Sequence, residues 1–152
     1  MVNRNDLKNK VCDTIEKRKM EIIGVSRSIL NNPETGFTEW KTAELVARKF
    51  SEMGISYKSG VALTGVKGHL PGGLDSRGPR VAIIGELDSL IVPDHPYADP
   101  VTGAAHACGH HAQIGMMLGA VIGITSSGVL SNLSGCIVPF AVPAEEFTEI
   151  ER

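Results

Sequence analysis

From about Lys10 to Leu30, apolar residues recur at Val11, Ile15, Met20, Ile22, Ile23, Val25 and Ile29, an imperfect helical period that predicts one amphipathic helix. Asn31-Asn32-Pro33 ends it, because the residue before a proline is pushed out of the helical region. A second helix is expected after Thr38, read as its N-cap, and runs to Met53 with Ala43, Val46, Ala47 and Phe50 on one side. Gly54 supplies its stop. The period then shortens. Tyr57 to Leu70 contains β-like runs closed by Pro71-Gly72-Gly73. Arg80 to Leu87, through Val81, Ala82, Ile83 and Ile84, reads as a continuous apolar strand covered on both faces. A long loop from Pro93 to Gly109 leads into an apolar helix over His111 to Thr125. On that helix Gly115, Gly119 and Gly123 form one stripe, which predicts close packing against a sheet. Gly128 to Ser134 is a turn region. Gly135 to Val142 is a second buried strand, broken by Pro143 just before Glu145-Glu146. Helices followed by alternating strands and helices predict an α/β layered sheet with flanking helices.

Composition narrows the partners. The 152 residues are 42% hydrophobic and 21% charged, the balance of a globular chain, with a net charge of -2. That charge gives no reason to expect nucleic acid or an anionic membrane surface as a partner. The longest apolar stretch, Ile114 to Ile124, is too short for a bilayer span. The stretch from Met1 to Cys12 is charged and polar and does not read as a signal peptide. Three cysteines far apart make no disulfide framework, so a cytoplasmic setting is expected. There is no internal repeat or low-complexity segment.

Three segments carry candidate chemistry. In His106-Ala107-Cys108-Gly109-His110-His111, a thiolate and an imidazole two residues apart project to the same side of extended backbone. Both are good ligands for a borderline-soft divalent ion. In Pro143-Ala144-Glu145-Glu146-Phe147, adjacent carboxylates repel unless a cation is near. One of the pair can bind a metal while the other takes the proton of the water that the metal polarises. A solvated loop is the plainer account of two glutamates, but an apolar strand delivers this pair to the sheet edge where α/β enzymes build sites. In Glu86-Leu87-Asp88, Asp88 is suited to orient a histidine ligand from behind, or equally to cap a helix.

Gly85-Glu86-Leu87-Asp88-Ser89-Leu90, His106-Ala107-Cys108-Gly109-His110 and Val142-Pro143-Ala144-Glu145-Glu146 together resemble three successive motifs of one family. It is the binuclear-metal amidohydrolase and metallopeptidase family of the aminoacylases, carboxypeptidase G enzymes and auxin-conjugate hydrolases, in its cysteine-bearing branch. The resemblance extends to Asn32-Pro33-Glu34 and Gly36-Phe37. It implies a zinc-peptidase-like catalytic domain in which Cys108, His110 and Glu146 are metal ligands, Glu145 is the general base and Asp88 stands behind the site. Two positions depart from the pattern. His111 stands where the family has aspartate, and Gly85-Glu86 replaces Ala-Asp, so no ligand role is implied for Glu86.

Family members continue through a lid and dimerisation domain and back into the catalytic domain, bringing two more histidine ligands. The expectation is therefore that residues 1–152 are the N-terminal part of the catalytic domain, with the rest absent. The complete protein is expected to cleave the amide bond of N-acyl amino acids or small peptides, using two divalent ions, Zn2+ or Mn2+. A homodimer is open to it through the lid. Two alternatives stand beside this: a non-catalytic fragment or remnant that binds a single metal, and a hydrolase in which Cys108 is the nucleophile. His95 and His106 are expected near the site mouth in surface or supporting positions, while Cys12 and Cys136 receive no function.

Overall fold

The protein is described by a computed structural model over residues 3–147. The first two residues of the polar stretch Met1–Cys12 therefore lie outside the described residues. The single N-terminal helix expected from the apolar period is two. Helix α1 spans Arg4–Lys17 and α2 spans Lys19–Leu30, separated at Arg18, whose φ of −108° and ψ of 12° leave the helical well. The start lies earlier than the apolar period suggests, since Asn3 accepts the Asn5 N–H as a cap. Arg18 uses its guanidinium to tie Glu21 and Ser126, at 2.9 and 2.8 Å.

Helix α3 spans Trp40–Glu52 and buries Thr42, Ala43, Val46 and Phe50. Thr38 is not its cap: the N-cap position is Glu39, and the Thr38 hydroxyl donates to the Thr35 carbonyl instead. Glu34 does the capping from outside the helix, accepting the Lys41 and Thr42 N–H groups at 3.0 and 2.9 Å. A carboxylate there also meets the positive end of the helix dipole. Gly54, at φ +68°, takes the left-handed conformation that terminates α3.

Strands β1 (Ser56–Val61) and β2 (Gly65–Pro71) pair antiparallel, as the short runs after Tyr57 suggest. Strand β3 spans Asp75–Glu86, β4 and β5 are the short ladder Leu90–Ile91 with Ala104–Ala105, and β6 spans Ser134–Val142. The main sheet has the order β1-β2-β6-β3, with β6 antiparallel to β2 and parallel to β3. Along β2, Val66, Gly68 and Leu70 are buried while Lys67 and His69 face out, the period of a strand covered on one face. β3 departs from its reading as a strand covered on both sides. It is an edge strand, and Val81 and Ile84 are 57% and 56% exposed.

Helix α4 spans His110–Ser126 and is apolar nearly all round, as a helix buried between two layers must be. Ile114, Met117, Leu118 and Val121 join α2, α3 and the sheet in one core. The glycine stripe faces the other way, against helices rather than the sheet. A Cβ at Gly115 would meet Ser26 at 3.0 Å, one at Gly119 would meet Ile22 at 3.3 Å, and one at Gly123 would meet Ile15 at 2.7 Å. The break at Arg18 lets α1 and α2 both lie along this groove.

Candidate metal centre

The register of β3 and β6 brings three chain segments to one edge. Glu86 pairs with Val142, and the Leu87 N–H donates to the Val142 carbonyl as a last rung. The parallel strands therefore release Glu86-Leu87-Asp88 and Pro143 to Phe147 side by side, at the carboxyl ends where α/β sheets place their sites. Helix α4 starts at the same edge with His110, after Gly109 at φ +99°.

His110 is 1% exposed and is held from behind. Its Nδ1 lies 2.9 Å from the Asp88 carbonyl oxygen and 3.1 Å from Asp88 Oδ1. Both partners are acceptors, so Nδ1 carries a proton and the ring turns Nε2 outward. That Nε2 is buried and makes no hydrogen bond, although Glu86 Oε2 is 2.9 Å away, Glu146 Oε1 3.7 Å and Glu145 Oε2 3.8 Å. The contact with Glu86 is close without the alignment a hydrogen bond needs. Asp88, fully buried, also reaches the neighbouring segment, where its Oδ2 accepts the Glu146 N–H at 2.8 Å. One carboxylate thus fixes both the imidazole and the backbone of the glutamate pair.

The other anchor of that pair is Glu39, which local pattern alone does not single out. It is fully buried, accepting the Thr64 hydroxyl at 2.6 Å and the Ala144 N–H at 2.8 Å. Ala144 sits at φ +56°, a left-handed conformation that an alanine adopts only when its surroundings hold it there. Gly36 approaches it so closely that a Cβ would lie 3.1 Å from the Ala144 Cβ, and Phe37 meets Phe147 edge-on at 5.5 Å. A glutamate at a helix start reads in sequence as a surface complement to the dipole, which hides its inward role.

Two groups of metal-compatible atoms result, each with its ligand atoms within 4.8 Å of one another: Cys108, His110 and Glu146, and Glu86, His110 and Glu145. Cys108 is exposed and Glu145 more open than Glu146, with side chains 51% and 22% exposed. Among the described residues, His110 is the only ion-pair partner of Glu86, Asp88, Glu145 and Glu146. A buried bare nitrogen facing carboxylates with no lysine or arginine among them fits a divalent cation, and thiolate, imidazole and carboxylate are the donors such an ion takes. Without a cation the same carboxylates hold the Cys108 thiol above its ordinary pKa, the neighbouring Glu146 most of all, then burial, then the charges of Glu145 and Glu86. That environment disfavours a free thiolate nucleophile.

The remaining histidines divide. His106 is 3% exposed, with neither ring nitrogen hydrogen-bonded, and burial, aided by His111 and His110, lowers its pKa to about 4. It packs against His111, ring centroids 5.5 Å apart, and belongs to neither ligand group. His95 accepts the Tyr97 N–H on the long loop. Cys136 is buried in β6, as expected, with its sulfur 3.0 Å from His69 Nδ1.

No protein-family model matches the chain. Individual relatives do. An IAA-amino acid hydrolase of Arabidopsis thaliana is 37% identical over 128 residues, covering 82% of this chain and 28% of the relative. The thermostable carboxypeptidase 2 of Saccharolobus solfataricus is 34% identical over 145 residues, covering 93% and 36%. Among solved structures, a dinuclear metal binding peptidase of the M20 family from Bacillus subtilis superposes with a TM-score of 0.75 at 27% identity, over 86% of this chain and 37% of that one. The chain spans about a third of the length of the curated relatives it matches. Fold and relatives together show a mixed α/β domain of the kind that these structures contain. Across the part that it spans, the chain is similar to hydrolases of amino-acid conjugates, to a carboxypeptidase and to a dinuclear metal binding peptidase of the M20 family.

Proposed function

We propose that this chain is the N-terminal part of the catalytic domain of an enzyme that hydrolyses the amide bond of an N-acyl amino acid or a small peptide. In this reading Cys108, His110 and Glu146 hold a divalent ion and Glu145 is the general base. The observation that carries it is the buried, unbonded Nε2 of His110 facing the glutamate pair. The names of the relatives, hydrolases of amino-acid conjugates and a carboxypeptidase, support the substrate class.

The cation, zinc or manganese on this mixed donor set, supplies the Lewis acidity that makes water acidic and polarises an amide carbonyl. The residues of this chain do the rest. Asp88 keeps the proton on Nδ1 of His110 and so keeps Nε2 free to ligate. It also holds the Glu146 backbone, which sets the inner carboxylate. Glu145, the more open of the two, reaches the centre from the solvent side, where a base can take a water's proton and return it to the departing amine. A thiolate ligand needs a reducing compartment, which supports a cytoplasmic setting. With three of these ligands in residues 1–152, we expect the 152-residue chain alone to bind at most one ion, weakly, and not to turn over.

The test is amide hydrolysis by the full-length enzyme carrying Glu145→Gln. Loss of kcat by about 100-fold or more, with metal content kept, is the expected result. Full activity in that variant removes the base assignment.

A further inference from the structure

Glu86 is the last residue of β3, and its carboxylate stands closer to His110 Nε2 than either member of the Glu145-Glu146 pair, at 2.9 Å against 3.8 and 3.7 Å. Nitrogen and oxygen ligands each about 2.1 Å from a common ion lie at most about 4.2 Å apart. All three carboxylates meet that limit around Nε2. Glu86 meets it with the least freedom, because Gln113, one turn along α4 from His110, donates its Nε2–H to the same Oε2 at 2.8 Å.

The contact is also chemically incomplete. Asp88 accepts from Nδ1, which leaves Nε2 facing a carboxylate oxygen 2.9 Å away without the alignment of a hydrogen bond. His110 is 1% exposed and Nε2 has no hydrogen bond, so water does not relieve it.

We propose that Glu86 is a ligand of the divalent ion at His110 Nε2, a carboxylate contributed by β3, held in place by Gln113 and grouped with His110 and Glu145. This rests on the preceding reading that His110 binds a cation. It adds an oxygen donor at the imidazole that the two ligand groups share, which favours a higher coordination number and a cation tolerant of hard ligands.

Cobalt(II) reads both claims at once. Its thiolate charge-transfer band reports Cys108, and its d–d bands strengthen as the coordination number falls. The 152-residue chain is titrated with cobalt(II) by absorbance, beside Glu86→Gln, Gln113→Leu, Cys108→Ser and His110→Ala, each checked for folding by circular dichroism without metal. Glu86→Gln is expected to keep the thiolate band, weaken binding about 100-fold and intensify the d–d bands. Gln113→Leu is expected to weaken binding about 10-fold. Wild-type affinity and unchanged d–d bands in Glu86→Gln overturn the inference while leaving the centre standing. Should Glu86→Gln fail to fold, unchanged affinity and bands in Gln113→Leu overturn it equally. If the wild-type chain binds cobalt no better than Cys108→Ser and His110→Ala, the metal centre itself falls, and Glu86 with it.

Discussion

Two carboxylate clusters lie on this small domain, and they are balanced in opposite ways. Between α2 and α3, Glu21 is paired with Arg18 at 2.6 Å and with Lys49 at 3.3 Å, and Lys49 also reaches Glu52 at 2.8 Å. At the sheet edge, Glu86, Asp88, Glu145 and Glu146 converge on one neutral-capable imidazole and on no lysine or arginine among the described residues. The first cluster is complete within the chain. The second faces no lysine or arginine among the described residues, a balance suited to a site rather than to the fold.

The comparison breaks most sharply at Asp88. Replacing it by leucine leaves the Glu146 N–H without its acceptor and His110 Nδ1–H with only the residue-88 carbonyl, and we expect a loss of about 1–3 kcal/mol of unfolding free energy, measured by urea denaturation of the metal-free chain. A loss no larger than that of a surface substitution would show that the two donors find other partners. Next comes the cation itself. At a zinc concentration about 100 times its Kd, wild-type stability should rise by about 2.7 kcal/mol, with the rise reversed by a chelator and absent in His110→Ala. An equal rise in that variant would place the ion elsewhere.

The smallest effect belongs to the balanced cluster. Burial alone would raise the Glu21 pKa, but hydrogen bonds from Arg18 and Lys49 outweigh it and leave the carboxyl below its ordinary 4.5. A carboxyl depressed in the folded state stabilises above its unfolded pKa, and that contribution is lost as pH falls below about 4.5. Glu21→Gln should therefore cost under about 1 kcal/mol at neutral pH, because the pair is partly exposed and screened. The cost should shrink further toward acid, as followed by melting temperature against pH.

The sequence made β1, β2, β3, β6, α3, α4 and the motif segments legible because each is announced by local period or by prolines and glycines beside it, while the short β4–β5 ladder lies in and beside the stretch read as a loop. The ends of β3 and β6 bring Glu86-Leu87-Asp88 and Glu145-Glu146 to one edge, and the start of α4 brings Cys108 and His110 to the same edge. What faces what was harder to read. The glycines of α4 show that something packs closely, yet spacing alone does not say whether a helix or a sheet does. The kink at Arg18 rests on contacts to Glu21 and Ser126, the latter far away in sequence. Val81 and Ile84 have the apolarity of covered positions but lie on an edge strand. Glu39 is not singled out because a charged side chain is assigned to solvent until its tertiary partners are known, whereas Glu86 is given no ligand role because Gly85-Glu86 departs from the family pattern.

The left-handed turn at Ala144 carries a warning for anyone surveying this domain by mutation. Its amide hangs on Glu39, a side chain contributed from the start of α3 more than a hundred positions earlier in the chain. Damage at residue 39 would swing the two glutamates off target and mimic the loss of a reacting group, though nothing at that position ever meets a substrate.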